Sequence, residues 1–157
     1  MTILARQMSP ERQREWQELR RFFDFWERHL FPSFMPLDDP RHPANALEQI
    51  AEKLGPSRAL QGLKQAIHDI VEQYGHLSGD EIRRVDTALA GNGLLTFSEV
   101  RRRYWSKYRA VLRRGIIRNE TEFYLLKGIA DDLTSEVPDE ERALISTLIS
   151  RYEAHRS

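Results

Sequence analysis

Three times between residues 78 and 122 a short polar side chain stands three residues ahead of a glutamate: Ser78 with Glu81, Thr96 with Glu99, and Asn119 with Glu122. This spacing lets the first side chain accept from the backbone N–H of the third helical residue, while the glutamate reaches back to the cap. Each pair therefore predicts a helix start at a defined residue. Ser9-Pro10-Glu11 predicts another, with proline at the first helical position and an acid in the first turn. Gly55, Gly75 and Gly115 stand where helices should stop. So many starts and stops leave room for helices joined by short links and for little else.

The apolar pattern agrees. Trp16, Leu19, Phe22, Phe23, Trp26 and Leu30 recur at helical spacing, as do Leu60, Leu63, Ile67, Ile70, Val71 and Tyr74. Leu47, Ile50 and Leu54 predict a short helix over 44–54. A last helix begins near Pro138 and buries Leu144, Ile145, Leu148, Ile149 and Tyr152. No segment alternates over strand length. The expectation is an all-α chain, a compact bundle of six to seven helices with short capped connections. It reads as a single helical domain over 1–157. An N-terminal helix (10–30) is joined by a proline-rich aromatic loop (31–43) to a helical core (44–155). The apolar face of the N-terminal helix should dock on that core, on its own copy in a homodimer, or on both.

The segment 96–133 carries the most chemistry. On a helical wheel over 97–114, Phe97, Val100, Tyr104, Trp105, Tyr108, Val111 and Leu112 share one broad arc. Arg102, Arg109 and Arg113 flank it on one side, and Arg103, Lys107 and Arg114 on the other. Arg101 falls inside the apolar arc, where a guanidinium is costly unless paired. Its expected partners are Asp131 or Asp132, at the far end of an antiparallel second helix whose inner face is Phe123, Leu126, Ile129, Ala130 and Leu133. Glu122, also inward, should face Tyr108, Leu112 or Arg109.

Charge and composition narrow the function. The 157 residues hold 24 basic and 24 acidic side chains, a formal net charge of zero. That argues against a surface given over to nucleic acid or anionic lipid. There is no cysteine, which excludes disulfides, zinc thiolates and cysteine nucleophiles. The first residues show no signal-peptide pattern, and no apolar run reaches membrane-spanning length. A soluble cytoplasmic protein without membrane contact is expected. None of the five histidines falls in a zinc pattern. His68 with Glu72 could pair a base with its orienter, but this spacing is commoner as a surface ion pair. Asp38, Asp39 and His42 read better as a solvated turn than as a metal site. No metal or cofactor is expected.

The resulting expectation is a non-catalytic protein–protein interaction module, of the kind a small bacterial inhibitor, adaptor or immunity-type protein would be. Its candidate contacts are Phe25, Phe31, Phe34 and Met35 around the proline-rich loop, and Arg102, Arg109 and Arg113 against an acidic partner. Phe31, Phe34, Met35 and Leu37 have a second reading, in which they simply cover one end of the core. The alternative function is nucleic-acid binding by the basic helix 97–114, with the arginines on phosphates and Tyr104 or Trp105 stacking on bases.

Overall fold

The structure is a computed structural model that describes residues 8–32, 35, 36 and 38–156, the Ala44 side chain apart. Among these residues the chain is all-helical. The helices are α1 (Pro10–Phe25), α2 (Pro43–Leu54), α3 (Pro56–Gln73), α4 (Gly79–Gly91), α5 (Phe97–Tyr104), α6 (Ser106–Arg114), α7 (Glu120–Asp131) and α8 (Asp139–Arg156). Two compact units divide the chain at Ile70 and Val71, within α3.

In the first unit, Ser9 caps α1 by accepting from the Arg12 N–H, and Pro10 occupies the first turn. Trp16, Leu19, Phe22, Phe23 and Trp26 are buried, as their spacing requires. The expected single helix to Leu30 changes character before its end. Trp26–Leu30 is a π-helical turn, closed by the Phe31 N–H on the Trp26 carbonyl at 2.8 Å. One extra residue in that turn rotates the chain ahead of Pro32. Among the described side chains of α2 only Leu47 is deeply buried, and Leu54 stands in solvent, contrary to the expected stripe. Leu54 occupies the last turn, and Gly55 follows in the left-handed region at φ 92°. Lys64 on α3 pairs with Glu15 on α1 at 3.0 Å.

In the second unit, α7 is the central helix, touching α4, α5, α6 and α8. Leu125, Leu126 and Ile129 on it are fully buried. Each such side chain contributes roughly 1.5–3 kcal/mol of burial. Gly128 permits the close approach. A Cβ there would lie 2.6 Å from Ser98 Oγ and 3.1 Å from Ile82 Cγ2. Leu133, expected on this inner face, is 94% exposed. The helix ends at Asp131 and Asp132 is extended, so the helical phase no longer governs Leu133. Leu144 is likewise on the outer side of α8, while Ile145, Leu148 and Ile149 are buried.

The main departure is in the basic helix. It is two helices, α5 and α6, broken at Trp105, whose φ −102° and ψ 115° are extended. This break raises the number of helices to eight among the described residues. The Trp105 indole is buried, its N–H donates to Glu72 at 2.9 Å, and a Cβ on Gly75 would clash with the ring at 2.9 Å. Seating a large side chain with one polar atom satisfied here outweighs the helical dihedrals lost at one residue.

Candidate functional site

The ion pairs of the second unit separate the arginines that are engaged from those that are available. Thr96 caps α5, accepting from the Glu99 N–H at 3.0 Å. The Glu99 side chain does not complete the expected reciprocal box. It is buried between two cations, accepting from Arg102 Nε at 2.7 Å and Arg103 Nε at 2.9 Å. Arg102 also reaches Glu141 at 3.3 Å, and the Tyr108 hydroxyl donates to the same carboxylate. That arrangement, with burial first, pushes the Tyr108 phenol well above its ordinary pKa. At the other end, Asn119 caps α7 and accepts from the Glu122 N–H at 2.9 Å. Glu122 is inward as expected, but its partners are Arg114 and the Arg118 N–H, not Tyr108, Leu112 or Arg109. The left-handed Gly115, φ 75°, turns the chain so that Arg114 comes back over the start of α7.

Arg109 and Arg113 are left exposed, four residues apart on α6, and no described carboxylate pairs with either. Between Glu99 and Glu120 the sequence holds no acidic residue. Ser106, Arg109, Arg113 and Ile116 follow one another along the solvent side, and Ile116 is 56% exposed. The result is a cationic strip with one apolar residue at its end. Arg102, expected on the same flank, stands on a different helix and is held by Glu99 and Glu141.

The loop candidates lie elsewhere. Phe25 is half-buried with its ring 4.9 Å from that of His29. Phe31 is half-buried against the buried Trp26 at 4.8 Å, and Met35 is half-buried. Phe34 and Leu37 lie outside the described residues. Asp39 accepts from the Arg41 guanidinium and N–H, but His42, expected in the same solvated turn, is buried, and the described residues contain no group of three metal-ligating side chains. No helix among them is long and apolar enough to cross a membrane. His68 is exposed on α3, and Glu72 accepts from the Trp105 indole N–H.

A buried polar cluster was only half anticipated. Arg101 is 0% exposed, but none of its three guanidinium nitrogens has a hydrogen-bond partner among the described residues. Asp131 pairs with Lys127 at 3.4 Å. Asp132 accepts from the Thr96 hydroxyl and from the Thr134 N–H and hydroxyl. Neither aspartate is therefore the partner expected for Arg101. The guanidinium instead lies over the rings of Phe97, 4.9 Å to the centroid, and Trp105, 5.5 Å. Burial pulls its pKa down to about 10, partly opposed by the charge of Asp86. Asp86 on α4 accepts from the Ser98 N–H at 3.0 Å and from the Ser98 hydroxyl. Burial raises its carboxyl to about 6 against those bonds. Asp86 was legible in principle, since it lies four residues after Ile82 and three before Leu89, on the edge of the buried face of α4. Compared with known protein families, with curated proteins and with solved structures, the chain matches none.

Proposed function

We propose that the protein is a binding module that recognises an acidic surface of another protein through the outer face of α6. The observation that carries this reading is the acid-free strip of Arg109, Arg113 and Ile116, in a unit where Arg102, Arg103 and Arg114 are paired and Arg101 is buried. Exposed, unpaired arginines beside an apolar residue suit a protein interface, where arginine supplies bidentate contacts to carboxylates. An inhibitor or adaptor would use this kind of surface. The nucleic-acid alternative is less well supported. Of the two stacking candidates, Trp105 is buried and hydrogen-bonded inside the unit, and Tyr104 is half-buried at the end of α5, so neither offers an open ring face for base stacking.

The test is capture from native cells with the whole chain and with an R109E/R113E variant, followed by rebinding of purified candidates. The expected partner rebinds, loses at least tenfold in affinity to the variant, and regains it when its own acidic residues are reversed. A partner that binds both forms equally overturns the reading. So does tight, salt-sensitive binding of unrelated DNA or RNA that the double reversal abolishes.

A further inference from the structure

In the first unit, a cavity of about 310 Å³ opens between the first turns of α1 and α3. Helical spacing gathers its lining. Ser57, Gln61 and Lys64 follow at intervals of four and three residues, and Arg58 stands three before Gln61, so all four project from one side of α3. Arg12 closes the cavity from α1, and the buried Leu60 lies at its base. The pair of Lys64 with Glu15, at 3.0 Å, ties α3 to α1 at the cavity edge. No acidic side chain lines the cavity. Arg12 and Arg58 are exposed there, and neither guanidinium has a partner among the described residues. The Ser57 hydroxyl and the Gln61 amide add neutral donors.

We propose that this cavity binds a phosphate dianion, free or as the monoester of a small molecule. Three cations set against the single carboxylate of Glu15 leave two positive charges. A phosphate group carries about −1.5 to −2 at neutral pH and matches them. A monocarboxylate would leave one cation uncompensated. Guanidinium forks from two different helices can each offer paired N–H donors to phosphate oxygens, and Lys64 adds a point charge. The volume lies at the lower end of the roughly 300–1,000 Å³ that small-molecule sites span, so any organic part of the ligand is small. This site lies on other helices than the α6 binding face and does not depend on it.

The test is an amide NMR titration of the whole chain at constant ionic strength and neutral pH, with inorganic phosphate, glycerol phosphate and acetate. Phosphate or its ester should shift the Ser57, Arg58, Gln61 and Lys64 amides with one saturable midpoint, and acetate should need at least tenfold more. The tighter of the two phosphates names the source of the group. Combining Arg12→Gln with Arg58→Gln should weaken that binding at least tenfold, and both side chains are exposed, so the fold should be kept. Combining Arg109→Gln with Arg113→Gln should leave the midpoint unchanged. Shifts that do not saturate, that acetate reproduces at equal concentration, or that persist in the Arg12 and Arg58 double variant would overturn the proposal. So would a single-stranded oligonucleotide that binds at least tenfold tighter than either phosphate through the same two arginines.

Discussion

Replacing Arg101 by methionine should change stability little, although it removes a fully buried charge. Methionine keeps an unbranched stem beside the rings of Phe97 and Trp105 and drops guanidinium donors that have no acceptor. Burial depresses the Arg101 pKa from 12.5 to about 10. At roughly 1.4 kcal/mol per tenfold in proton affinity, the charged side chain costs the fold about 3–4 kcal/mol relative to its neutral form. Against that gain stands the loss of two desolvated cation–π contacts, each worth about 2 kcal/mol. The two nearly cancel, so the net expectation is a change within about 1 kcal/mol, or roughly 2–4 °C in Tm for a chain of this size. The balance should be most favourable to methionine at pH 5, where Asp86 is protonated. It should turn against methionine at pH 8, where Arg101→Met leaves the carboxylates near it without a cation. Urea and thermal unfolding at both pH values, followed by circular dichroism, measure this directly. Arg101→Ala serves as the control, because its cavity should cost about 2–4 kcal/mol at either pH. A loss of more than about 1 kcal/mol for methionine at both pH values would refute the reasoning, since it would show that the guanidinium makes hydrogen bonds the fold requires.

Other outcomes follow from neighbouring contacts. Asp86 has a folded pKa above its unfolded one, so the folded state holds a proton between about pH 4 and 6 that the unfolded state releases. Stability from this group is therefore fully present below pH 4 and lost as pH rises through about 6, a swing of up to ~3 kcal/mol. Comparing urea midpoints of the unaltered protein and Asp86→Asn across that range isolates it, and the difference should flatten above pH 7. Gly128→Ala should destabilise by about 1–3 kcal/mol by overpacking. Part of that loss should be recovered on adding Ser98→Ala, which removes the closest atom, and a double-mutant cycle on urea midpoints would show the coupling. Asn119→Ala should cost about 1 kcal/mol through the lost α7 cap, read the same way. Leu133→Ser should change stability by less than about 0.5 kcal/mol, whereas Leu126→Ala should cost about 2–5 kcal/mol.

The helix starts were legible because capping is local. Ser78, Thr96 and Asn119 each accept from the N–H three residues on, as their spacing required. Only Ser78 and Glu81 form the reciprocal box, because Arg102 and Arg103 on its own helix claim Glu99, and Arg114 from the preceding helix claims Glu122. The break at Trp105 carried no local signal. Neither glycine nor proline stands there, and the residue leaves the helix for a seat beside Gly75 and Glu72, about 30 positions earlier in the chain. A wheel drawn through the whole basic stretch therefore placed Arg102 beside Arg109 and Arg113, where the fold separates them. Leu133 differs for a related reason, since helical phase ends with the last helical residue, Asp131.

The buried ions show the same division between what spacing carries and what it does not. Helical phase placed Arg101 and Glu122 inward correctly, because phase depends only on nearby residues. Their partners depended on which chain ends meet in space. Asp132 turned out to be held by Thr96, and Asp86, from a helix not considered for this role, supplied the charge that acts on Arg101. The cluster also explains why an unpaired guanidinium persists in the core. The buried Asp132 and the half-buried Asp86 would repel each other without it across the α4–α5 junction, and two carboxylates hydrogen-bonded to it would not need the proton. Arg101 occupies the intermediate position, near enough to offset one charge and bonded to neither.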